Sequence, residues 1–421
     1  MTKTICFFTA LITLTSLKSQ VWGGGFMIPH QTARGVGLSN ALTAGVNDPS
    51  AVYYNPAALS EISGNNVLGS GTYINLINSV ENSGRTATNK HDDNFLASFF
   101  ANYHVPGSNF TVGVGTYTPF GLATTYEEDF TRFAAKRSEL RTIYVTPAAS
   151  WKPSQYFSVG AGLSFVHASG MFTRALCLNP GGCGAAPDPG EATLRLTDTT
   201  NAFTYNLGVL VKPLENWKFG FGYRGRTDLR FNDADVKLGG PALPAMKVKA
   251  DVKPLALPPV INAGMFWQIT PSWGTEFVYE YARWSEFKSL KASFESGPLP
   301  GFSLPQDWKN TSTFRLGTYY TLNNWELLGG LALEETPIPN KTLNPAIPGG
   351  DTLTLNAGIE YKWERFSMGL GYMAVFYKTR KVSNTELEGL PATGLPFTGA
   401  PGKDTYRTYD NFVTVSLGYR F

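Results

Sequence analysis

The chain has 421 residues, a formal net charge of +3 and 16% charged residues, against about 25% in soluble globular proteins. Aromatic residues make up 14%, which excludes a disordered chain. Acidic and basic residues are scattered without a basic stripe, so nucleic-acid binding has no electrostatic support. With four His and three Cys in the chain, we expect neither a metal nor a cofactor.

The first 23 residues have the pattern of a secretory signal peptide. Lys3 supplies a positive start, and Ile5–Leu17 is a largely apolar stretch without charge. We expect cleavage near Gly23. No later segment approaches the ~20 apolar residues of a membrane-spanning helix. An exported chain of this kind is secreted, periplasmic or an outer-membrane β-barrel, and the aromatic excess favours the barrel.

Residues 24–62 break the strand pattern of the rest of the chain. Leu38, Leu42 and Val46 are spaced by four, which predicts one face of a short helix. Asp48-Pro49 resembles an N-cap followed by the first helical residue, and Asn55-Pro56 repeats this arrangement. We interpret residues 24–62 as a small helical hatch that plugs a wide barrel. A periplasmic cap is the alternative.

Residues 63–421 alternate between apolar and polar side chains. At the C-terminus, Val413 and every second residue onward are apolar, while the intervening residues are Thr414, Ser416, Gly418 and Arg420. A period of two puts these two sets on opposite faces of a strand, one toward lipid and one toward the lumen. Counting such segments predicts a fourteen-stranded antiparallel transmembrane β-barrel. A soluble β-sandwich or propeller would also alternate.

Three further features of the sequence fit a membrane barrel: a set of Trp residues, the last residue and a pair of Cys residues. Trp217, Trp325 and Trp363 fit an interfacial aromatic girdle. Phe421 ends an amphipathic strand, as the signal read by the barrel-assembly machinery does. Cys177 and Cys183 are close enough in sequence to close a small loop, and we predict a disulfide at a loop tip.

Taken together, these segments resemble the FadL family of outer-membrane long-chain fatty acid transporters. The similarity covers essentially the whole mature chain. It includes the opening Gly24-Gly25-Phe26, the segment ARGVGLSNALTAGVNDPSAVYYNPAAL with its Asn55-Pro56-Ala57 signature, and the segment GVGTYTPFGLATTYEEDFTRFAAKRSEL. One departure is the sequence GGDT at 349–352, where many relatives carry Pro-Asp and a basic residue.

The resemblance implies a monomeric barrel in the outer membrane of a Gram-negative bacterium, plugged by the N-terminal hatch. It also implies uptake of long-chain fatty acids or similar hydrophobic compounds, which are captured in an apolar pocket and released sideways after hatch movement. In this family the third strand is kinked and opens the wall. The matching residues here are Gly113, Gly115, Pro119, Phe120 and Gly121. Ordinary lumen packing or a bulge is the alternative for the glycines.

Arg174 and Lys309 are the candidates for contact with a carboxylate head group. The alternative interpretation of both residues is a solvated charge in the lumen or in a loop.

Aromatic hydrocarbons such as toluene are the rival substrate class within the same fold. A general porin is a third possibility, but it would have a wet, charge-lined lumen. We expect no enzyme, because the four His are isolated and no GxSxG element is present. The expected partners are the hydrophobic substrate, outer-membrane lipid and lipopolysaccharide, and the barrel-assembly machinery.

Overall fold

The computed structural model describes residues 25–82, 84–90, 94–127, 129–179, 183, 188–295, 301–383 and 404–421. The predicted signal peptide, residues 1–23, lies outside the described residues. The chain forms a closed antiparallel β-barrel of fourteen strands, as predicted. The first and last strands close it along a continuous register from Asn66↔Arg420 to Glu81↔Thr405.

Within the described residues, twenty-one strand segments build the fourteen strands. Seven strands are continuous: β1 (Asn66–Asn82), β6 (Arg137–Ser154), β7 (Phe157–Cys177), β8 (Glu191–Leu214), β17 (Trp325–Glu334), β18 (Thr352–Trp363) and β21 (Asp404–Arg420). The other seven are each interrupted once. They are β2 (Arg85–Thr88) with β3 (Asn94–His104), β4 (Phe110–Tyr117) with β5 (Gly121–Thr125), β9 (Trp217–Arg224) with β10 (Thr227–Gly240), β11 (Leu243–Leu257) with β12 (Val260–Thr270), β13 (Trp273–Ala282) with β14 (Ser289–Phe294), β15 (Phe302–Pro305) with β16 (Thr311–Leu322), and β19 (Phe366–Tyr377) with β20 (Arg380–Val382).

The predicted alternation is confirmed on β21. The side chains of Val413 and Leu417 are 38% and 60% exposed on the outer face, whereas Thr414 and Ser416 are 0% and 5% exposed on the inner face. An apolar outer face is the one that meets lipid in a membrane barrel.

Short turns mark the periplasmic end of the barrel. At this end, five pairs of neighbouring strands are joined by two-residue turns, for example between Ser154 and Phe157 and between Leu214 and Trp217. Trp217, Trp325 and Trp363 all lie next to such turns, and the Trp217 ring stacks on Trp267 at 5.3 Å. Since bacterial barrels have short periplasmic turns and long outer loops, the opposite end is extracellular.

The strands extend well beyond the membrane at the outer end. β7 has 21 residues and β8 has 24. About 9–11 residues suffice to cross a bilayer. The extra length builds a tall wall above the membrane and encloses an interior there.

The chain before β1 lies inside the barrel. It contains α1 (Ala33–Gly37), α2 (Ala51–Tyr54) and a 3₁₀ helix (Pro56–Glu61), and nearly all of its residues between 29 and 59 are buried. These helices contact strands on several sides of the barrel, including β6, β7, β8, β18, β19 and β21. We call residues 25–62 the hatch.

Two local predictions about the hatch are wrong. Leu38, Leu42 and Val46 are all buried, but α1 ends at Gly37, and they do not form a helical face. Ser39 and Asn40 have φ values of 55° and 59°, a left-handed turn that no helix continues through.

The second helix also begins later than Asp48-Pro49 predicted. Ser50 is the N-cap of α2, and Asp48 Oδ1 accepts a hydrogen bond from Ser50 N at 2.8 Å. The Asp48 side chain therefore forms a local turn before the helix instead of capping it.

The structure brings the sulfur atoms of Cys177 and Cys183 together as a disulfide with a Cα–Cα distance of 5.8 Å. Cys177 ends β7 on the extracellular side. The turn between the two cysteines, residues 180–182, lies outside the described residues.

Among the described residues, no helix has the length and apolar character that a membrane crossing requires.

The terminal residue is held at the periplasmic closure of the barrel. Phe421 N donates to Asn65 O at 2.9 Å, and the Phe421 ring packs edge-on against Tyr419 at 4.9 Å. We predict that deletion of Phe421 lowers the yield of folded, heat-modifiable barrel in the outer membrane. Phe421→Trp is the matched control and should retain the yield, because it keeps a terminal aromatic side chain. An undiminished yield after deletion would remove the assembly role.

Candidate functional site

An apolar cavity occupies the extracellular part of the barrel interior. The space open to the centre of a water molecule is about 120 Å³. The wall residues around it come from β5, β6, β7, β8, β10, β11, β14 and β15, and most are apolar: Leu122, Leu140, Met171, Phe172, Leu196, Phe231, Val252, Leu255, Leu290, Phe302 and Leu304. Ser138, Gln306 and Asn344 add a few polar groups, and Glu139, whose carboxylate is paired with Arg137 and Arg141, adds the one acidic side chain among the described lining residues. Such a lining suits a mostly hydrocarbon ligand with a small polar part.

One buried cation lies beside this cavity. Arg174 points inward from β7 and is 0% exposed. Its guanidinium carbon lies 4.9 Å from the ring centre of Phe302 and 5.7 Å from that of Phe172, and both rings line the cavity. Among the described residues, none of its three side-chain nitrogens has a hydrogen-bond partner. A buried charge without partners is costly.

Lys309 is placed elsewhere. Its side chain is exposed and does not line the cavity, while its backbone N–H donates to Pro337 O at 2.8 Å. The structure therefore does not bring Arg174 and Lys309 together at one site.

The barrel wall is incomplete next to the third strand. β3 pairs with β4 from His104↔Thr111 to Phe99↔Thr116 and no further. β5 pairs with β6, and in the described residues it has no ladder with β3. The two edges meet again higher up, where Lys90 N donates to Thr125 O at 2.7 Å. We call the stretch between Phe95–Ser98 and residues 118–124, across which the described residues form no strand ladder, the window.

The five third-strand residues singled out by the sequence fall in two places. Pro119, Phe120 and Gly121 lie at the break between β4 and β5, where the window begins. Gly113 and Gly115 lie within fully paired β4, opposite Asn102 and Phe100. A Cβ on either glycine would lie about 3 Å from Val52 of the hatch (2.9 Å and 3.1 Å), so these two residues make room for the hatch.

The N-terminal end of the hatch runs along the kink at the window. Ile28 N donates to Pro119 O at 2.8 Å, and Gly121 N donates to Phe26 O at 3.1 Å. The Gln31 side chain completes this pairing, since its Nε2 donates to Thr118 O at 3.0 Å. Residues 26–31 thus bond backbone groups of Thr118, Pro119 and Gly121, which have no ladder with β3. We call residues 26–31 the window strand.

Phe26 connects the window strand to the cavity. Its ring lines the cavity and packs within 4.8 Å of Trp284, 5.5 Å of Trp308 and 6.3 Å of both Phe120 and Phe287. The Phe26 side chain therefore separates the cavity from the wall at the kink. The sequence carried no signal for this contact, because Trp284 and Trp308 are distant in the chain.

The Asn55-Pro56-Ala57 signature attaches the hatch to the wall. Asn55 Oδ1 accepts from Ala57 N at 3.1 Å, and its Nδ2 donates to Thr43 O at 2.7 Å and to Val209 O of β8 at 3.2 Å. Ala57 O accepts from Ser150 Oγ at 2.9 Å and from Ser158 Oγ at 3.0 Å. The Asn55 side chain thus caps the 3₁₀ helix and also bonds the wall.

Glycines on the wall permit this close approach. A Cβ built on Gly208 would lie 2.0 Å from Asn55 Oδ1, and one on Gly160 would lie 2.3 Å from the carbonyl carbon of Pro56. Real Cβ atoms do not tolerate such distances. Inward glycines of the wall strands, such as Gly160 and Gly208, are therefore part of the surface on which the hatch sits.

Buried ion pairs fix the opposite side of the hatch. Arg34 of α1 donates to Glu326 at 3.0 Å and to Glu360 at 2.8 Å. Burial alone would lower the pKa of Arg34, but the two carboxylates outweigh it and hold the pKa above its usual value. His30, in contrast, is buried beside Arg315 without a carboxylate, which lowers its pKa to about 3. It is therefore neutral at physiological pH.

A closed barrel with a wall-anchored internal hatch and an apolar interior defines a plugged outer-membrane transport barrel. The chain matches the family described as "Outer membrane protein transport protein (OMPP1/FadL/TodX)" over residues 14–407, and it belongs to that family. It is therefore an outer-membrane protein.

Relatives in this family cover nearly the whole chain. A long-chain fatty acid transport protein of Escherichia coli O6:H1 is 25% identical and is aligned over 93% of this chain and 95% of its own length. Outer membrane protein P1 of Haemophilus influenzae is 23% identical, with coverage of 94% and 95%.

Solved structures share the fold. A Pseudomonas aeruginosa FadL homologue matches with a TM-score of 0.83 at 21% identity, over 94% of this chain and 100% of its own. The Pseudomonas putida toluene transporter TodX matches with a TM-score of 0.71 at 16% identity, over 96% and 99%.

The two functions of Asn55 can be separated by substitution. Asn55→Ala removes both the cap, worth about 1 kcal/mol, and the bonds to Thr43 O and Val209 O, worth about 0.5–1.5 kcal/mol each. We predict a raised ion leak in planar bilayers with folded protein still abundant, because these losses are too small to unfold a barrel.

Asn55→Ser is the matched control, since Ser retains a cap acceptor but does not reach the wall. A leak in the Ala variant alone assigns the effect to the cap, and a leak in both assigns it to the amide bonds with Thr43 O of the hatch and Val209 O of the wall. Normal conductance in both variants would show that Asn55 does not hold the hatch closed.

Proposed function

We propose that the protein takes up long-chain fatty acids, or amphiphiles with a similar anionic head group, across the outer membrane. The observation that carries this proposal is Arg174, a buried cation without a described partner whose flanking rings, Phe172 and Phe302, line the apolar cavity. A carboxylate supplies the charge that Arg174 lacks, and a charge-assisted hydrogen bond is among the stronger ones. The hydrocarbon tail then lies against the remaining apolar lining.

The energy of capture comes mainly from the tail. Each buried CH₂ contributes about 0.8 kcal/mol, so a long acyl chain binds an apolar cavity strongly. The same strength opposes release, and transport therefore requires a change that weakens the cavity. Displacement of Phe26 would do this, because the Phe26 ring forms part of the cavity lining.

The exit that we propose is lateral, through the window. The window strand carries Phe26 at the cavity and lies across the unpaired edge beside Pro119 and Phe120. Movement of this strand opens the cavity and the wall together. An apolar substrate then passes into the membrane without crossing water, while the rest of the hatch stays bound to the wall.

An aromatic hydrocarbon is the second candidate substrate. It is favoured by the nearly apolar lining with several aromatic rings, among them Phe172, Phe231 and Phe302, and TodX, a toluene transporter, shares the fold. Such a substrate has no charge to offer Arg174. The response of Arg174 variants to charged and uncharged ligands therefore distinguishes the two candidates.

We predict that Arg174→Met weakens oleate binding by about 10–100-fold, the effect of losing a hydrogen bond to a charged group worth roughly 1.5–3 kcal/mol. Binding of oleyl alcohol and toluene should change little. Removal of an unpaired buried charge should not destabilise the barrel. The measurement is ligand titration of purified protein, with Arg174→Lys as the charge-retaining control. Oleate binding that is unchanged in Arg174→Met would contradict an anionic substrate at this site.

The exit route can be tested with a reversible lock. Met27 and Phe120 face each other in an antiparallel bridge between the window strand and the kink. We predict that the oxidised Met27→Cys/Phe120→Cys variant binds oleate but does not transport it, and that reduction restores uptake. Each single-cysteine variant, treated with the same oxidant and reductant, is the control. Full uptake with the disulfide shown to be formed would mean that the substrate leaves by another path.

A further inference from the structure

A row of basic side chains crosses the outer face of the extracellular wall. Arg195 of β8 is directly opposite Lys237 of β10, and Lys237 is directly opposite Lys247 of β11. All three side chains are exposed, and they point away from the lumen because their neighbours Leu194, Leu196, Val236, Leu238 and Val248 are buried. We call Arg195, Lys237 and Lys247 the basic row.

The described part of the protein forms no ion pair with the basic row, although the nearby carboxylate of Asp235 is close enough for the charges of Lys237 and Lys247 to help lower its pKa. Among the described residues, no carboxylate lies within salt-bridge distance of these three side chains. Two exposed bases near them, Arg137 and Lys249, do have a carboxylate at that distance. Arg137, in the same register row beyond Thr173, is paired with Glu139 at 2.8 Å. The nearest rung below contains Asp235, but this carboxylate bonds Lys249 at 2.8 Å.

The three like charges of the basic row repel one another, and a bound anion would relieve that repulsion. Side chains directly opposite on neighbouring strands have Cβ atoms about 4.5–5.5 Å apart, and like charges at that distance repel. With strands spaced about 4.8 Å apart, the three positive charges cover roughly 10 Å along the membrane plane. One guanidinium and two ammonium groups in a line suit phosphate groups, because Arg binds phosphate with two parallel hydrogen bonds and Lys with a point charge.

The height of the row indicates what carries the phosphate. Phe203 of β8 is 68% exposed on the lipid face, and Arg195 lies eight residues further out on the same strand. At about 3.3 Å per residue and a strand tilt of about 40°, the row lies about 20 Å above Phe203. That is outside the hydrocarbon, on the flank of the barrel, where the phosphorylated sugars of lipopolysaccharide surround an outer-membrane protein.

We propose that the basic row, Arg195, Lys237 and Lys247, is a binding site for the phosphate groups of lipopolysaccharide. The ligand stands beside the wall and contacts the outer faces of β8, β10 and β11. This site is separate from the cavity and does not depend on which hydrophobic compound the protein transports. It fastens the tall extracellular wall to the outer leaflet.

The test compares two triple variants of the full-length protein in detergent. Arg195→Gln/Lys237→Gln/Lys247→Gln removes the basic row. The control, Lys378→Gln/Lys381→Gln/Arg407→Gln, removes three exposed bases from the outer ends of β19–β21 and changes the net charge equally. Binding of purified rough-type lipopolysaccharide is measured by native mass spectrometry and by titration at several salt concentrations.

We expect the basic-row variant to bind lipopolysaccharide at least tenfold more weakly, with a smaller dependence of affinity on salt. The control variant should bind like the unaltered protein, and both variants should remain heat-modifiable because the substituted side chains are exposed. Unaltered affinity in the basic-row variant would overturn the proposal.

A second arm needs no variant and identifies the source of the phosphate. Lipopolysaccharide stripped of phosphate should bind the unaltered protein at least tenfold more weakly than the intact glycolipid. Equal binding of the stripped form would overturn the proposal. Competition by inorganic phosphate as effective as that by lipopolysaccharide, at equal phosphate concentration, would also overturn it and assign the row to free phosphate.

Discussion

The fold depends on the hydrogen bonds between the hatch backbone and polar side chains of the wall. Glu276 of β13 is buried, and its carboxylate accepts from Thr43 N at 2.8 Å, Ala44 N at 2.6 Å and Gly45 N at 2.8 Å. A plug inside a barrel has little water to satisfy such groups, and an unpaired buried N–H is costly. The wall side chains therefore accept hydrogen bonds from backbone N–H groups that carbonyl groups would accept within a longer helix. This is why the hatch can be compact while containing few helical residues.

The distribution of these bonds divides the hatch into a part held by buried ion pairs and many wall bonds and a part held by fewer bonds. Residues from Ala33 onward bond strands on several sides of the barrel, including the buried pairs of Arg34 and the cap and wall bonds of Asn55. The window strand makes no ion pair among the described residues; it hydrogen-bonds the kink, and also Ser98, Tyr54 and Asn40. Its Phe26 ring packs by apolar contact. Breaking a buried ion pair costs about 3–5 kcal/mol, so movement of the window strand costs less than movement of the whole hatch. On the exit route that we propose, the conformational change is therefore confined to residues that touch both cavity and window.

The sequence predicted the barrel and the Asn55 cap well, and the path of the hatch between residues 38 and 50 poorly, for physical reasons. Alternation records which face of a strand meets lipid, and that face is set by the membrane, so Val413 and Leu417 could be assigned without knowing their neighbours. The hatch path is set by partners distant in the chain. Leu38, Leu42 and Val46 have helical spacing, yet Glu276 draws the backbone at residues 43–45 out of a helix. Arg174 and Lys309 likewise look alike in sequence, because only the folded wall shows that one is buried beside the cavity and the other is exposed.

The two unneutralised sets of positive charge lie at the same height on opposite faces of one wall. Arg174 of β7 is paired in register with Leu194, and the next residue of β8, Arg195, begins the basic row outside. The energetics on the two faces differ. An exposed cation such as Arg195 keeps its hydration, so the absence of an ion pair costs little beyond the repulsion between like charges on neighbouring strands. Arg174 has lost its hydration without gaining a described hydrogen-bond partner, and its contacts with the Phe172 and Phe302 rings offset only part of that cost. Under the proposed function, selectivity for a carboxylate would therefore follow from the burial of Arg174 rather than from the number of positive charges.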